Sequence, residues 1–165
     1  MQHVQTRSTT SALVLTAVLI ALATLFTMYT KIPVPGIRGY FNVGDVVIMT
    51  SALLLGRKYG AYIGAIGPAL ADLFLGYAVF VPITFVVKGI EGYLVGTVYN
   101  HKTTTSALVA TIVGGIVIVA GYFIAEYFVF DPGVAIAGIL TNTIQAVMSV
   151  IIGMILYAIL CKRLG

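Results

Sequence analysis

Charged side chains are scarce in this chain of 165 residues: they make up 8% of it, whereas hydrophobic residues make up 60%. Soluble domains carry about 25% charged residues, so this shortage argues against a soluble domain and favours an integral membrane protein. The nine basic residues are scattered along the chain and form no patch that would bind nucleic acid. The orientation of the chain in a membrane explains the positions of these basic residues better than nucleic-acid binding does.

Cysteine and the common catalytic motifs are also missing or nearly so. The single cysteine, Cys161, cannot form an intramolecular disulfide, and His3 and His101 cannot build a metal centre with it. No GxxxxGK[ST], GxSxG or HExxH motif occurs, which excludes ATP hydrolysis by the Walker route. We therefore expect no catalytic residue, no metal and no cofactor bound by this chain. A membrane enzyme is the alternative, because buried ionisable residues could perform acid–base catalysis.

The apolar segments predict an all-α integral membrane protein, a single domain over residues 1–165 with six transmembrane helices of roughly 20 residues each. The predicted helices cover about 11–30, 43–56, 59–76, 81–99, 106–130 and 134–160, with a Pro/Gly-rich loop over 31–42. The second helix is short for a crossing. The first is interpreted as an uncleaved helix rather than a secretory signal, because its apolar stretch continues to Met28. Pro68 is expected to kink the third helix.

Basic residues are unevenly divided between the two sides of this predicted bundle. With the N-terminus inside, the cytoplasmic side holds Arg7, Arg57, Lys58, Lys102, Lys162 and Arg163, and the outer side holds only Lys31 and Arg38. The positive-inside rule therefore predicts that both termini are cytoplasmic and that the loop 31–42 faces outward.

Five ionisable residues lie inside the predicted helices: Asp45, Asp72, Lys88, Glu91 and Glu126. Such residues are costly in lipid and indicate function by default. Lys88 and Glu91 are three residues apart on one helix face, where they form either a structural pair or part of a ligand cavity. Their predicted depth is shared with the other three ionisable residues and with Asn142 and Gln145 of the sixth helix. This convergence of polar side chains from five helices favours a polar cavity that opens to the outside.

Tyrosines and small residues form two further patterns. Tyr40 and Tyr77 are predicted near the outer boundary, where each either anchors the membrane interface or stacks on a ligand. Ala17 and Ala21 form an AxxxA pair in the first helix. Similar pairs are Gly60/Gly64 and Gly92/Gly96. Such pairs let helices approach closely, and packing within the molecule is the default interpretation over docking of a partner.

Three runs of sequence within residues 32–96 resemble a known family. GYFNVGDVVIMTSALLLG, YGAYIGAIGPALADLFLGY and VPITFVVKGIEGYLVG are similar to the substrate-binding S components of energy-coupling factor (ECF) vitamin transporters, of the riboflavin type and the hydroxymethylpyrimidine or pyridoxine type. The resemblance implies capture of a vitamin or its precursor outside a prokaryotic plasma membrane. It also implies delivery by toppling of the S component on a scaffold subunit, the T component, with two ATPase subunits that use ATP.

The resemblance also assigns roles to individual residues. It implies that Ala17 and Ala21 dock on the scaffold, that residues 33–42 form a lid, and that Lys88 and Glu91 contact the ligand. The expected substrate-binding residues are Tyr40, Asn42, Asp45, Asp72, Tyr77, Lys88, Glu91, Asn142 and Gln145. Their carboxylate, amide and ammonium groups favour a small hydroxymethylpyrimidine- or pyridoxine-like heterocycle. Riboflavin as the substrate, or a self-sufficient secondary transporter or channel, are the alternatives.

Overall fold

The computed structural model describes residues 9–33, 40–100 and 103–164. These residues form six α-helices and one pair of short strands. In chain order they are α1 (Thr9–Tyr29), β1 (Ile32–Pro33), β2 (Tyr40–Phe41), α2 (Asp45–Leu55), α3 (Arg57–Phe74), α4 (Phe80–Val98), α5 (Thr104–Val129) and α6 (Pro132–Leu164). The helical character predicted from the sequence is confirmed. Arg7, Arg38 and Lys102, which entered the topology prediction, lie outside the described residues.

Four of these helices, α1, α4, α5 and α6, are long and apolar enough to cross a membrane. The helix α2 has only 11 residues. At about 1.5 Å per residue it covers roughly half of the ~30 Å hydrocarbon core. Its residues from Asp45 to Leu53 are all buried, so α2 lies inside the bundle and its apolar sequence reflects protein contacts rather than lipid contacts. The predicted count of six crossings is therefore not confirmed.

Sharp connections hold several of the helix ends in place. Gly56 joins α2 to α3 with a φ of +87°, and Gly76 follows α3 with a φ of +81°, a region that favours glycine. At the start of α6, the Asp131 carboxylate accepts a 3.1 Å hydrogen bond from the Val134 backbone N–H. Pro132 occupies the first helical position, where its missing N–H costs nothing.

The helices α3 and α4 approach each other through the glycine pairs noted in the sequence. A Cβ atom added at Gly60 would lie 2.5 Å from the Gly92 carbonyl oxygen, and one at Gly64 would collide with the Lys88 carbonyl. The two backbones therefore touch without intervening side chains, as the small-residue spacing predicts. This contact fixes the position of Lys88 relative to α3.

The alanine pair of α1 behaves differently, since Ala17 and Ala21 are exposed. The helix α1 instead packs on α3 through another face, on which Ala23 is fully buried. There the Thr24 hydroxyl donates a 2.9 Å hydrogen bond to the Gly67 carbonyl. Packing among the described residues therefore does not explain the AxxxA pair, because Ala17 and Ala21 are exposed there.

The predicted outer loop contains a small hairpin that the sequence did not indicate. Ile32 pairs with Phe41, and Pro33 pairs with Tyr40, in antiparallel register. The Val43 N–H donates a 3.0 Å hydrogen bond to the Thr30 hydroxyl, which ties the base of the hairpin to the end of α1. The hairpin therefore lies at the end of the bundle where α2, α4 and α6 begin.

Candidate ligand-binding site

A cavity of about 40 Å³ lies beneath the hairpin, among α1, α3, α4, α5 and α6. Such a volume holds a few water molecules. The lining residues are Thr27, Tyr40, Asn42, Pro68, Asp72, Phe80, Thr84, Lys88, Tyr122, Glu126, Gly138, Thr141, Asn142 and Gln145.

The cavity brings together six of the nine residues predicted to bind substrate: Tyr40, Asn42, Asp72, Lys88, Asn142 and Gln145. Asp45, Tyr77 and Glu91 are not on its wall. Asp45 and Glu91 lie next to Lys88, and the Tyr77 ring packs on Tyr40 with 5.0 Å between ring centroids. The sequence thus located most of the polar wall, and the ligand contacts themselves stay a prediction.

Lys88 has a closer carboxylate partner than the one its spacing suggested. Its Nζ atom donates a hydrogen bond to Asp45 Oδ1 at the start of α2, whereas Glu91 Oε2 is 3.9 Å away. Lys88 and Asp45 are 1% and 0% exposed, so a buried ion pair joins α4 to α2. Removing one member of such a pair leaves an uncompensated buried charge. Lys88 and Asp45 are therefore expected to stabilise the packing of α4 against α2.

The Glu91 carboxylate is fully buried, and neither of its oxygens has a hydrogen-bond partner in the described part of the chain. Its environment is the ammonium of Lys88 and the close approach of α5 at Gly114. Because Glu91 lies off the cavity wall, the direct contact with a ligand that was predicted for it lacks a geometric basis.

Gln145 connects the hairpin end of the chain to the ion pair. Its Nε2 atom donates to Asp45 Oδ2 at 2.7 Å, and its Oε1 atom accepts from the Asn42 backbone N–H at 3.0 Å. Asn42 in turn accepts a 2.9 Å hydrogen bond from the Gly44 N–H beside the start of α2. Both ends of the Gln145 amide are therefore engaged, and this side chain positions Asp45 and the hairpin end.

Tyr40 closes the cavity from the hairpin side. Its hydroxyl donates a 2.5 Å hydrogen bond to Asp72 Oδ1 of α3. Burial raises the pKa of Tyr40, and the neighbouring Asp72 charge raises it further, so the phenol keeps its proton and remains a donor at neutral pH. Lys31 lies over the rings of Tyr40 and Tyr77, with its Nζ atom 5.9 Å and 5.1 Å from their centroids. This cation–π contact stabilises the packing of the hairpin against Tyr77.

Sequence reasoning placed Glu126 of α5 at the depth of the cavity but included neither Glu126 nor Tyr122 among the substrate-binding residues. The hydroxyls of Tyr122 and Thr84 are 2.9 Å apart, and the Tyr122 ring centroid lies 5.4 Å from Lys88 Nζ. The missed signal is the spacing of four: Gly114, Ile118, Tyr122 and Glu126 are all buried, so they form one inward face of α5.

The comparisons with known proteins decide the family. The family model described as ECF-type riboflavin transporter, S component, matches residues 7–162. The chain belongs to this family of ECF S components. It is therefore an integral membrane subunit for vitamin transport and not an enzyme, which confirms the resemblance found in the sequence. The membrane-enzyme and secondary-transporter alternatives are set aside.

Two relatives and one solved structure illustrate how this S component compares with other proteins. It is 43% identical over 145 residues to an uncharacterised protein in the gap 3′ region of Pyrococcus woesei, covering 86% of this chain and 96% of that protein. It is 32% identical over 143 residues to the thiamine precursor transporter HmpT of Lactococcus lactis subsp. cremoris (strain MG1363), covering 86% and 80%. The solved S component of a bacterial ECF transporter superposes with a TM-score of 0.73 at 21% identity, covering 94% of this chain and 98% of that one. This last likeness shows the fold.

Proposed function

We propose that this S component binds a small nitrogen heterocycle of the hydroxymethylpyrimidine or pyridoxine kind in the cavity beneath the hairpin. One observation carries the proposal. Of the charged side chains that the described residues place on the cavity wall, Asp72 and Glu126 are acceptors, and Lys88, the one cation among them, already donates to Asp45. Acceptors are thus in excess, and a ligand rich in N–H and O–H donors complements them. The likeness to the thiamine precursor transporter HmpT supports the same substrate class.

The rest of the cavity wall suits a flat ring. Phe80, Tyr122 and Tyr40 supply aromatic surface, and the Thr84 and Thr141 hydroxyls supply polar groups at its edge. Ligand sites commonly combine an apolar lining with a few placed polar groups in this way. A single heterocyclic ring with hydroxyl or amino substituents uses both kinds of surface.

Riboflavin is the second candidate, because the matching family model is described by that vitamin. The cavity volume of about 40 Å³ is far below the roughly 300 Å³ at the lower end of small-molecule pockets. The walls must therefore move apart for any vitamin, and a three-ring flavin requires a much larger displacement than one ring does. This difference favours the smaller heterocycle.

We further propose that the chain works with a T component and two ATPase subunits, with both termini cytoplasmic and the hairpin outward. Arg57, Lys58 and Lys162 lie at the opposite end of the bundle from the hairpin, which supports this orientation. The exposed Ala17 and Ala21 of α1 offer a smooth face for a scaffold helix. On such a scaffold the S component topples to carry its cavity across the membrane.

Two measurements test this function. A thermal-shift panel on the purified chain compares hydroxymethylpyrimidine, pyridoxine, thiamine and riboflavin, and one of the first two is expected to raise the unfolding temperature most. Uptake into proteoliposomes that contain the chain, a T component and the ATPases is expected to require ATP. Uptake by the chain alone, or stabilisation by riboflavin only, would contradict the proposal.

A further inference from the structure

Glu126 is a buried carboxylate whose Oε2 atom has no hydrogen-bond partner among the described residues. Its side chain lines the cavity and is 3% exposed. No salt bridge within the described residues involves it. Leaving a buried acceptor unsatisfied is costly, more so when it is charged. No described residue satisfies Glu126 Oε2, and the cavity is where a ligand would meet this atom.

The surroundings of Glu126 define one end of the cavity. A Cβ atom at Gly138 would collide with Glu126 Oε2, so the absence of a side chain at Gly138 makes room for the carboxylate. The Asn142 Nδ2 atom lies 3.5 Å from the same Cβ position. A carboxylate and an amide thus flank one small space, which offers a strong acceptor beside a group that can donate.

The other polar groups of the wall are less available. Asp72 is held by Tyr40 through Oδ1, so only its Oδ2 atom lacks a partner among the described residues. Lys88 donates to Asp45, and both ends of the Gln145 amide are engaged. Glu126 and Asn142 are accordingly the wall residues best placed to form hydrogen bonds with the polar edge of a ligand ring. An aminopyrimidine presents the matching edge, because its exocyclic amine donates and the adjacent ring nitrogen accepts.

We propose that Glu126 accepts a hydrogen bond from an exocyclic amino group of the ligand while Asn142 donates to the adjacent ring nitrogen, so that the cavity selects aminopyrimidines over ligands without the amine. This inference rests on the proposed function and narrows its substrate class. Sites built around a hydrogen bond to a polar substituent reject analogues that lack it, since their own polar group is then left unpaired. Pyridoxine, which has no amine, is disfavoured on the same ground.

The test measures the dissociation constants of two ligands by calorimetry on the purified full chain. The ligands are 4-amino-5-hydroxymethyl-2-methylpyrimidine and the same compound without the 4-amino group. The unmodified chain is expected to prefer the amino compound by about 10- to 100-fold, the range for a hydrogen bond to a charged group. In Glu126→Gln the preference is expected to collapse, mainly through weaker binding of the amino compound.

Two further variants separate this role from a general effect on the fold. Gly138→Ala displaces the carboxylate without removing its charge and is expected to reduce the same preference. Asp131→Asn makes the same chemical change outside the cavity, at a helix cap that asparagine also serves, and is expected to leave both constants unchanged.

The possible failures are distinguishable. If the unmodified chain binds the amino compound tightly and both Glu126→Gln and Gly138→Ala keep the full preference, the role of Glu126 is overturned and the proposed function stands. Equal binding of the two compounds by the unmodified chain overturns the role as well. If the unmodified chain binds neither pyrimidine but binds pyridoxine, the role of Glu126 is overturned and the proposed function stands. If it binds none of the three, the proposed function itself fails.

Discussion

The Tyr40 hydroxyl donates a 2.5 Å hydrogen bond to Asp72 Oδ1, and this contact fastens the hairpin to α3 directly over the cavity. Tyr40 is itself a wall residue of the cavity, and Lys31 Nζ lies 5.9 Å from the centroid of its ring. A ligand that enters from the hairpin side must break or bypass this bond. We therefore expect ligand exchange to require movement of the hairpin, as is common for closing loops.

Tyr40→Phe is expected to speed ligand exchange. The substitution removes the hydroxyl but keeps the ring, so the packing against Tyr77 is retained. The lost hydrogen bond to a carboxylate corresponds to an increase of about tenfold or more in the dissociation rate. Stopped-flow fluorescence or competition kinetics measures this rate. Tyr62→Phe, at a tyrosine that is 57% exposed on α3, is the matched control; equal rates in both variants would contradict the role of the contact.

Lys88→Met is expected to destabilise the protein by roughly 3–5 kcal/mol, because the Asp45 carboxylate then remains buried without its cation. Thermal unfolding in detergent measures the loss. The double variant Lys88→Met with Asp45→Asn removes the orphaned charge and is expected to recover part of the stability. A single variant as stable as the unmodified chain would show that the ion pair does not hold α2 to α4.

Glu91→Gln is expected to leave ligand affinity unchanged and to keep or raise stability. The Glu91 carboxylate lies off the cavity wall and accepts no hydrogen bond from a described residue. An amide of the same shape removes the desolvation cost of a charge and loses only the 3.9 Å contact with Lys88, which keeps Asp45 as its closer partner. Calorimetry and thermal unfolding on the same sample check both expectations. A large loss of affinity would instead support the ligand contact that the sequence predicted for Glu91.

Gly64→Ala is expected to disrupt the bundle although alanine favours helices. The new methyl group would collide with the backbone carbonyl of Lys88 and force α3 away from α4. Gly153→Ala is the control, because the nearest atom to its added Cβ would lie at an ordinary 3.7 Å. Folded yield and unfolding temperature are the readouts. Equal tolerance of both changes would mean that the α3–α4 contact is not as close as described.

Ala21→Leu is expected to abolish transport by the assembled complex while leaving ligand binding by the isolated chain intact. Ala21 is exposed on the face of α1 proposed to meet the scaffold. Ala23→Leu, two residues further along the helix, enlarges a fully buried position and is expected to reduce stability instead. Binding and ATP-dependent uptake are measured side by side. Normal uptake by Ala21→Leu would remove this face from the proposed interface.

The helices and most of the polar wall could be predicted because hydropathy and intramembrane charges are strong signals. Whether α2 crosses the membrane or is buried inside the bundle could not be predicted, since apolar side chains face both lipid and protein. The two-residue strands β1 and β2 are too short to produce an alternating pattern. The hairpin was therefore expected only as a loop.

The chemistry of the site shows the same limit. Spacing revealed the neighbours of Lys88 on its own helix and hence Glu91, but its closer partner, Asp45, is 43 residues away in sequence. Glu126 lies near the end of α5, where an acidic residue is compatible with the membrane boundary. Only the packing of α6 against it, through Gly138, reveals that its carboxylate lies in the cavity.

Calorimetric titration of the purified chain with 4-amino-5-hydroxymethyl-2-methylpyrimidine, and separately with riboflavin, decides between the two candidate substrates. We expect saturable binding of one molecule of the pyrimidine per chain and much weaker binding of riboflavin. One-to-one binding of riboflavin together with no binding of the pyrimidine would contradict this expectation.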